Sequence, residues 1–466
     1  MITQKVFTND LEGRIDPHFY KPKYLEAITQ LKGLKTPTKR VDSFSDVICG
    51  PFGSAIKVND YSSNGIPLIR IENIDKTDGV SSTNTTFINE KLASSLKHYK
   101  VNKDDLVISQ RGTLGLCGVI REDLDGAVIS ANLIAIKNLN GVNPDYLKFF
   151  FSSNLGQIQL ERRISGQVQT KITTEDIKTL LVPILSKEIQ QKIINAYLSA
   201  LQDREEKLKQ ADELLNSIDG YVRDQLGIAY TEPEEEKIYT VNSQDLEDNR
   251  QDPYYYNSKF AKLLNSVGNN LKMASLSDIA EGVFNGNTPA KDNYADEGKP
   301  IVKVSCLKKN RIEWSNLAYA KADKKLSKHI KDNDILLLSS AHQAEYLGKN
   351  PCLVEIPDNL RGKDITFVGE LICIRPKLKL INPYYLLAIL RLEEYRQLIN
   401  REKRGQTSHI YPDDLEKIQI PLAGIEKQEA IAQEFKNRLN KAEKLKKEAS
   451  TILEEAKKKV EEMILI

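Results

Sequence analysis

The apolar positions of the chain follow two regimes in turn, and the whole alternation occurs twice. In the first regime, VDSFSDVICGPFGSAI, GIPLIRIENI, VNKDDLVISQRGTLG and VISANLIAI are short runs, alternating or continuously apolar, bounded by Gly, Asn and Ser clusters. Such runs predict strands buried on one or both faces. MASLSDIAEGVFNGNTPAK, GKPIVKVSCL, IKDNDILLLSSAHQAE and ITFVGELICIRP repeat them in the same order. In the second regime the spacing switches to three and four. Ile194, Leu198, Leu201, Leu208, Ala211, Leu215, Ile218 and Val222 form one stripe, with a wider interval at Arg204-Glu205. Phe435, Leu439, Ala442, Leu445, Ala449, Ile452, Ala456, Val460 and Met463 form the other. Both are patterns of long helices packed as a coiled coil.

The lead-ins to these helices also match. GQVQTKITTEDIKTLLVPILSKEIQQKI opens the stretch 166–227, and GQTSHIYPDDLEKIQIPLAGIEKQEAIAQEF opens 405–466. Gly166-Gln167 answers Gly405-Gln406, Pro183 answers Pro421, and Glu188 and Gln190 answer Glu426 and Gln428. A strand-rich region followed by a connector and long helix, present twice, is most simply two copies of one unit. Other segments keep register. Asp16-Pro17-His18-Phe19 and Asp252-Pro253-Tyr254-Tyr255 each precede an amphipathic stretch, the second over 258–267. Asn143-Pro144 and Asn382-Pro383 each start a helix carrying Leu147, Phe150 and Phe151 or Leu386 and Leu390, with Pro at the first helical position, where its missing N–H costs nothing.

The expected fold class is therefore α+β: two similar α+β lobes, 1–171 and 236–410, joined by connectors and long helices at 172–235 and 411–466. Each helix of some 40 residues is about 60 Å long at 1.5 Å per residue. The second helix buries its stripe against the first only by running back, which predicts an antiparallel coiled coil with pseudo-two-fold symmetry. Gly227 and the acidic TEPEEEK mark the first helix's stop.

At 466 residues the chain exceeds a single core, and its net charge of +2 hides an asymmetry. The two lobes carry +4 and +5, the first connector −6 and the second −1, which suggests an anionic partner for the lobes. The five cysteines (Cys49, Cys117, Cys306, Cys352, Cys373) lack CxxC spacing and read as reduced, mostly buried small residues. No run approaches 18 apolar residues, and MITQKVFTNDLEGR has no signal-peptide core, so a soluble intracellular protein is expected.

Catalytic constellations are not evident. No P-loop GxxxxGK[ST] occurs, and His18, His98, His329, His342 and His409 lack metal or triad spacing. The Asp-Pro-aromatic entrances lack the second Pro of an amino-methyltransferase motif, and no strand, Gly-rich loop and helix is present to hold S-adenosylmethionine; they read as turns. The loops do carry hydrogen-bonding groups suited to base edges. Ser109-Gln110-Arg111-Gly112-Thr113, with Gly115 behind, combines an arginine suited to guanine and an amide suited to adenine with glycines that admit close approach. Its counterpart is Ser339-Ser340-Ala341-His342-Gln343, with Tyr346 nearby; Phe52-Gly53-Ser54 answers Asn285-Gly286-Asn287-Thr288, and Arg70 and Asn73 answer Lys303 and Cys306. The candidate DNA contacts are Phe52, Ser54, Arg70, Asn73, Gln110, Arg111, Thr113, Asn285, Asn287, Thr288, Lys303, Ser340, His342 and Gln343 of these loops, with Gln167, Lys171, Gln406 and Ser408 of the Gly-Gln segments. The loops diverge where the frame agrees, as expected of two readers of different sequences.

Taken together, the Asp-Pro entrances, SQRGTLG, the Gly-Gln segments and the Pro-x(6)-Gln lead-ins resemble the specificity (S) subunit of type I restriction-modification systems, over essentially the whole chain. Leu185 and Ala423 stand where that family often has a second Pro, and SSAHQAE lacks the Arg-Gly of SQRGTLG. The resemblance implies two target recognition domains that read the halves of a split double-stranded DNA site, and helices that act as spacer and dock for two methyltransferase (M) subunits. It implies no cofactor or catalysis in this chain: S-adenosylmethionine, ATP and magnesium belong to the partner methyltransferase and restriction (R) subunits. The setting implied is the prokaryotic cytoplasm, at the nucleoid, with no membrane partner. Two other classes compete: a scaffold whose lobes bind proteins, and a methyltransferase fused to its reader, for which two repeats leave no room.

Overall fold

The computed structural model describes residues 15–75, 79–164, 171–232, 236, 238–247, 250–268, 271–309, 311–321, 325–405 and 408–465. The chain forms two compact units: residues 1–208 with 446–466, and residues 209–445. Each is mixed α+β.

In unit 1, strands Asp46–Cys49, Leu133–Lys137, Leu106–Ser109 and Cys117–Val119 form an antiparallel sheet in that spatial order. A second sheet runs Val128–Ile129, Ile66–Ile69, Thr86–Ile88, Tyr61–Ser62, and its first pair is parallel. The central strand Leu133–Lys137 shows why the sequence settles this way. Its continuous apolar run divides with the period of two of an extended chain. Ile134 and Ile136 face a core that includes Phe149, Phe150 and Tyr197, while Leu133 and Ala135 face one that includes Ile69 and Val107. Thr38–Arg40 pairs antiparallel with Leu181–Pro183, so the connector returns to the lobe entrance.

Unit 2 repeats the plan. Its antiparallel sheet is Ala280–Asn285, Leu371–Pro376, Ile335–Leu338, Cys352–Leu353, and its mixed sheet is Tyr294–Ala295, Ala318–Ala320, Lys299–Val302, Thr366–Phe367. The central strand Leu371–Pro376 divides in the same way, with Ile372 and Ile374 in one core and Leu371 and Cys373 in another. Met273–Ser275 pairs with Gln419–Pro421 as the returning connector.

Each unit also holds a paired stretch of the two long helices Lys187–Leu226 and Ile425–Ile464. In unit 1, Ile194 and Tyr197 share a core with Ala456 and Val460, and Lys207 bridges Glu448 at 2.5 Å. In unit 2, Ala211, Leu215, Ile218 and Val222 share a core with Phe435 and Ala442, and Arg438 Nη1 donates to Ser217 O at 2.9 Å. From Lys207 with Glu448 to Ser217 with Arg438 the numbers rise on one helix and fall on the other, so the coiled coil is antiparallel. Phe435, Ala442, Ala449 and Ala456 recur every seven residues and are all buried, the spacing of a coiled-coil seam. One stripe position departs from expectation: Leu198 is exposed, and Tyr197 is buried in its place with its ring stacked 4.1 Å from that of Phe149. The stack on Phe149 puts position 197, and not 198, on the buried face. The first helix stops as expected: Gly227 takes φ +67° and Ile228 N–H donates to Arg223 O at 2.9 Å.

A single side chain seats each helix in its unit. Gln190 Oε1 accepts from Asn143 N–H (2.7 Å), and its Nε2 donates to Leu185 O (2.8 Å) and Gly141 O (3.2 Å). Gln428 repeats this with Asn382 N–H (2.9 Å), Ala423 O (2.8 Å) and Leu380 O (3.2 Å). Beside it, Tyr146 O–H donates to Pro183 O (2.8 Å) and Tyr385 O–H to Pro421 O (2.7 Å). The entrance turns are structural too. Asp16 accepts from His18 N–H and Asp252 from Tyr255 N–H, both at 2.9 Å, and guanidinium groups of Arg162 and Arg401 stack 3.7 and 3.9 Å from the rings of Phe19 and Tyr255.

Candidate nucleic-acid interface

In each unit, three loops gather at one end of the antiparallel sheet: the turn after its first strand, the loop after its third, and the turn that leads into its central strand. Glycine permits the closest approach. A Cβ on Gly50 would stand 2.0 Å from Ser130 O, and one on Gly286 would stand 2.1 Å from Phe367 O. These two glycines are therefore equivalent, and the strand registers agree: Cys49 lies opposite Ile134 and Asn285 opposite Ile372. Gln110 N–H donates to Asn132 O at 3.0 Å and Ser339 N–H to Glu370 O at 2.9 Å, which makes Gln110 equivalent to Ser339. The correspondence expected from the sequence, Gly53 with Gly286 and Ser109 with Ser339, is thus corrected by three positions in one loop and one in the other. Loop-length differences between the copies conceal the shift in the sequence.

In unit 1 the loops enclose an open cavity of about 570 Å³ whose lining includes Phe52, Arg70, Gln110 and Arg111. Phe52 projects with 88% of its surface exposed, and Ser54, Arg111, Thr113 and Lys171 are exposed as well. The Arg111 loop is held from behind. Ser109 Oγ donates to Thr113 O (2.5 Å) and accepts from Leu116 N–H (2.9 Å), while Gly112 and Gly115 turn the chain at φ +71° and +74°. Arg70 is half-buried, 2.7 Å from Glu72, with its guanidinium over the Tyr61 ring. Asn73 is buried, and its Oδ1 accepts from Arg70 N–H at 2.9 Å. Gln110 is also buried, its amide donating to Ala131 O (2.6 Å) and Cys49 Sγ (3.1 Å). Tyr61, Tyr99 and Asn132 line the cavity without having been singled out from the sequence; no spacing rule marks them.

In unit 2, His342 and Gln343 are exposed beyond a short antiparallel pair in which Ser340 faces His409 and Ala341 faces Ser408. The Gly-Gln segment and the loop after Ile335–Leu338 are thereby joined. Gln167 and Gln406 lie outside the described residues. Asn285 Nδ2 donates to Ser339 Oγ and Gly369 O, both at 3.1 Å. Thr288 is exposed, its Oγ1 donating to Glu370 Oε2 (3.0 Å) and accepting from Gly369 N–H (2.9 Å). Asn287 and Lys303 are half-buried; Lys303 N–H donates to Cys306 Sγ at 3.4 Å, as Arg70 N–H does to Asn73. Lys328, which the sequence did not distinguish within a lysine-rich run, brings a cation to the site and donates to Asn285 O at 2.9 Å. Beside the antiparallel bridge of Arg404 with His409 lies Glu402, buried 3.1 Å from Arg250. Burial pushes its carboxyl up to about 7, against the opposing pull of Arg401 and Arg250 and with the help of Asp414 and Glu247.

Among the described residues no group of three or more His, Cys, Asp or Glu side chains could hold a metal ion, and no helix is long and apolar enough to cross a membrane. All five cysteines are free; Cys117, Cys306, Cys352 and Cys373 are buried, and burial raises the thiols of Cys117, Cys352 and Cys373.

The molecule is thus a duplicated α+β module in which a matching frame presents two differing polar loop clusters. The chain belongs to the type I restriction modification DNA specificity domain family, whose model matches residues 38–216 and 268–454. It is 27% identical over 192 residues to a type I restriction enzyme MjaX specificity subunit of Methanocaldococcus jannaschii, covering 38% of this chain and 42% of that protein. It is 26% identical over 140 residues to the type I restriction enzyme EcoBI specificity subunit of Escherichia coli, covering 30% and 29%. The matched stretches thus span less than half of either relative. A solved structure from work on complex assembly and conformational transition of the type I R-M system superposes with a TM-score of 0.51 over 92% of this chain and 97% of that one, at 16% identity, which shows a shared fold.

Proposed function

We propose that this chain is the DNA-specificity subunit of a type I restriction-modification assembly, without catalysis of its own. Residues 1–171 and 236–410 act as target recognition domains, each reading one half of a bipartite double-stranded site. The connector and helix segments 172–235 and 411–466 set the unread spacer and dock two methyltransferase subunits, together with restriction subunits where the system includes them. S-adenosylmethionine, ATP and magnesium act in those partners, and the assembly works at the nucleoid in the prokaryotic cytoplasm.

The observation that carries this reading is a frame kept twice around loop clusters that differ. Duplicate helix seats (Gln190 and Gln428) and duplicate tight turns (Gly50 and Gly286) frame loops that differ in content: one copy carries Arg111 and Lys171, the other Ser340, His342 and Gln343. Arginine suits guanine edges and Gln or Asn adenine edges, so such divergence suits different half-sites.

Methylome sequencing of the host with and without this gene tests the reading. Loss of one split adenine motif is expected, and no change refutes it. Deleting seven residues from each long helix, one heptad, should shorten the recognised spacer; an unchanged target refutes the spacer role alone.

A further inference from the structure

At the junction of the three loops, a backbone carbonyl is answered in both units by one side-chain amide, supplied from opposite members of an equivalent pair. The registers make Cys49 equivalent to Asn285, Gln110 to Ser339, and Ala131 to Gly369. In unit 1 the Gln110 amide reaches Ala131 O at 2.6 Å and the Cys49 thiol at 3.1 Å. In unit 2 the amide comes from Asn285, and it reaches Gly369 O and the Ser339 hydroxyl, both at 3.1 Å. The carbonyl served and the pair of positions are the same, while donor and acceptor are exchanged.

Physical chemistry explains why the exchange preserves the arrangement. The tight approach at Gly50 and Gly286 packs the turn before the central strand against its neighbour, and a carbonyl packed there needs an N–H partner. Either side of the pair can supply one. A long Gln reaches across from the third strand's loop to a small polarisable Cys, and a shorter Asn reaches from the first strand's end to a small Ser. A hybrid pair, Cys with Ser, has no amide, and Asn with Gln crowds two into the space of one.

We propose that these pairs are clamps that position the reading loops: Cys49 with Gln110 in unit 1 and Asn285 with Ser339 in unit 2. Gln110 and Asn285 are then positioning residues. In unit 1 the clamp fixes the loops of Phe52, Arg111 and Asn132 relative to one another, and base contact is made by the exposed side chains around it. The proposal rests on the reading of these loops as a DNA interface for its functional consequence, while its structural content stands apart from that reading.

The test uses the full chain assembled with its methyltransferase subunits and compares wild type, Gln110→Ser, Cys49→Asn/Gln110→Ser and Gln110→Leu. The first readout is sequence preference in a randomised DNA pool. Gln110→Ser should relax preference at one half-site by tenfold or more and leave the other unchanged. The double variant, which transplants the pair of unit 2, should restore preference to within about threefold. The second readout is amide hydrogen exchange over 49–54, 109–116 and 130–133 without DNA, which should accelerate in Gln110→Ser and Gln110→Leu and return in the double variant.

A double variant as relaxed as Gln110→Ser, with the loss at a single base position and exchange unchanged, would mean that Gln110 touches the base, and would overturn the clamp. Unchanged preference and exchange in Gln110→Ser would overturn it as well. If the wild-type assembly selects no sequence, the proposed function fails, and the exchange measurements decide the clamp by themselves.

Discussion

The glutamine seats are where one side chain bears on the most structure, and Gln190→Leu and Gln428→Leu test them. In unit 1 the change removes three hydrogen bonds, leaving Asn143 N–H and the carbonyls of Leu185 and Gly141 facing an apolar side chain in a buried site. A buried group that loses its partner costs about 1–3 kcal/mol, and the N–H, with no second partner, sits at the upper end. Burying the leucine side chain returns about 1.5 kcal/mol of transfer energy. The net expectation is a loss of about 3 kcal/mol in each unit. It should be confined to the unit carrying the change, because Gln428 seals Asn382, Ala423 and Leu380 in the same way. Native-state hydrogen exchange separates the two. Gln190→Leu should lower the opening free energy of amides in Leu133–Lys137 and spare those in Leu371–Pro376, and Gln428→Leu should do the reverse. A loss under about 1 kcal/mol at either site would show that the backbone groups find other partners, and would refute the reasoning.

Three further outcomes follow from the same contacts. Gly286→Ala places a methyl 2.1 Å from Phe367 O and 2.5 Å from Val368 O, both backbone atoms, and should destabilise unit 2 by about 3 kcal/mol, whereas Gly53→Ala meets nothing within 4 Å and should be silent; denaturation midpoints decide. Glu402, raised to about 7, holds in the folded chain a proton that the unfolded chain releases above its ordinary 4.5. Its contribution is therefore fully present below about 4.5 and is lost as pH rises through 7, up to about 3 kcal/mol at ~1.4 kcal/mol per unit; urea midpoints at pH 5 and pH 8 should lose that difference in Glu402→Gln, and a retained difference refutes the assignment. Arg111→Ala, at an exposed position, should leave stability within about 0.5 kcal/mol and weaken discrimination at one base pair by about 1–3 kcal/mol in competition binding; a uniform loss across sequences would mark a phosphate contact instead.

The duplication, the strand runs and the helix stop at Gly227 are legible in the sequence because each rests on local periodicity or on one residue's backbone preference. The order of strands within the sheets is not, since Asp46–Cys49 meets Leu133–Lys137 across more than eighty residues and no local pattern records that pairing. The candidate site divides along the same line. Gly-rich loops after strands announce themselves, and Arg111 and Phe52 are exposed where such loops project. Whether a polar side chain there turns outward or inward depends on which partners come within reach: Gln110 turns in because Ala131 O, twenty-one residues away, is there, whereas Asn73 turns in to a local partner, Arg70 N–H. Leu198 and Tyr197 show the same limit on a helix, where adjacent apolar residues compete for one face and the shape of the opposing lobe decides.

The division of the long helices between the units bears on how the chain is made. Unit 2 is one unbroken stretch, 209–445, so every residue of its core is translated before residue 446. Unit 1 is interrupted: Ala456, Val460 and Ile464 belong to the same core as Phe149, Tyr197 and Leu185. Until those last turns emerge, the earliest-made half of the protein has an apolar groove along its first helix that only later-made residues can fill. Domains that fold as they are synthesised usually finish in order from the N-terminus. Here the order is inverted, with the first-translated unit closing last and the groove open for the time it takes to translate unit 2. A chain ending at residue 445 and released from the ribosome should therefore display a protease-resistant second unit beside a first unit still open to cleavage around 187–208.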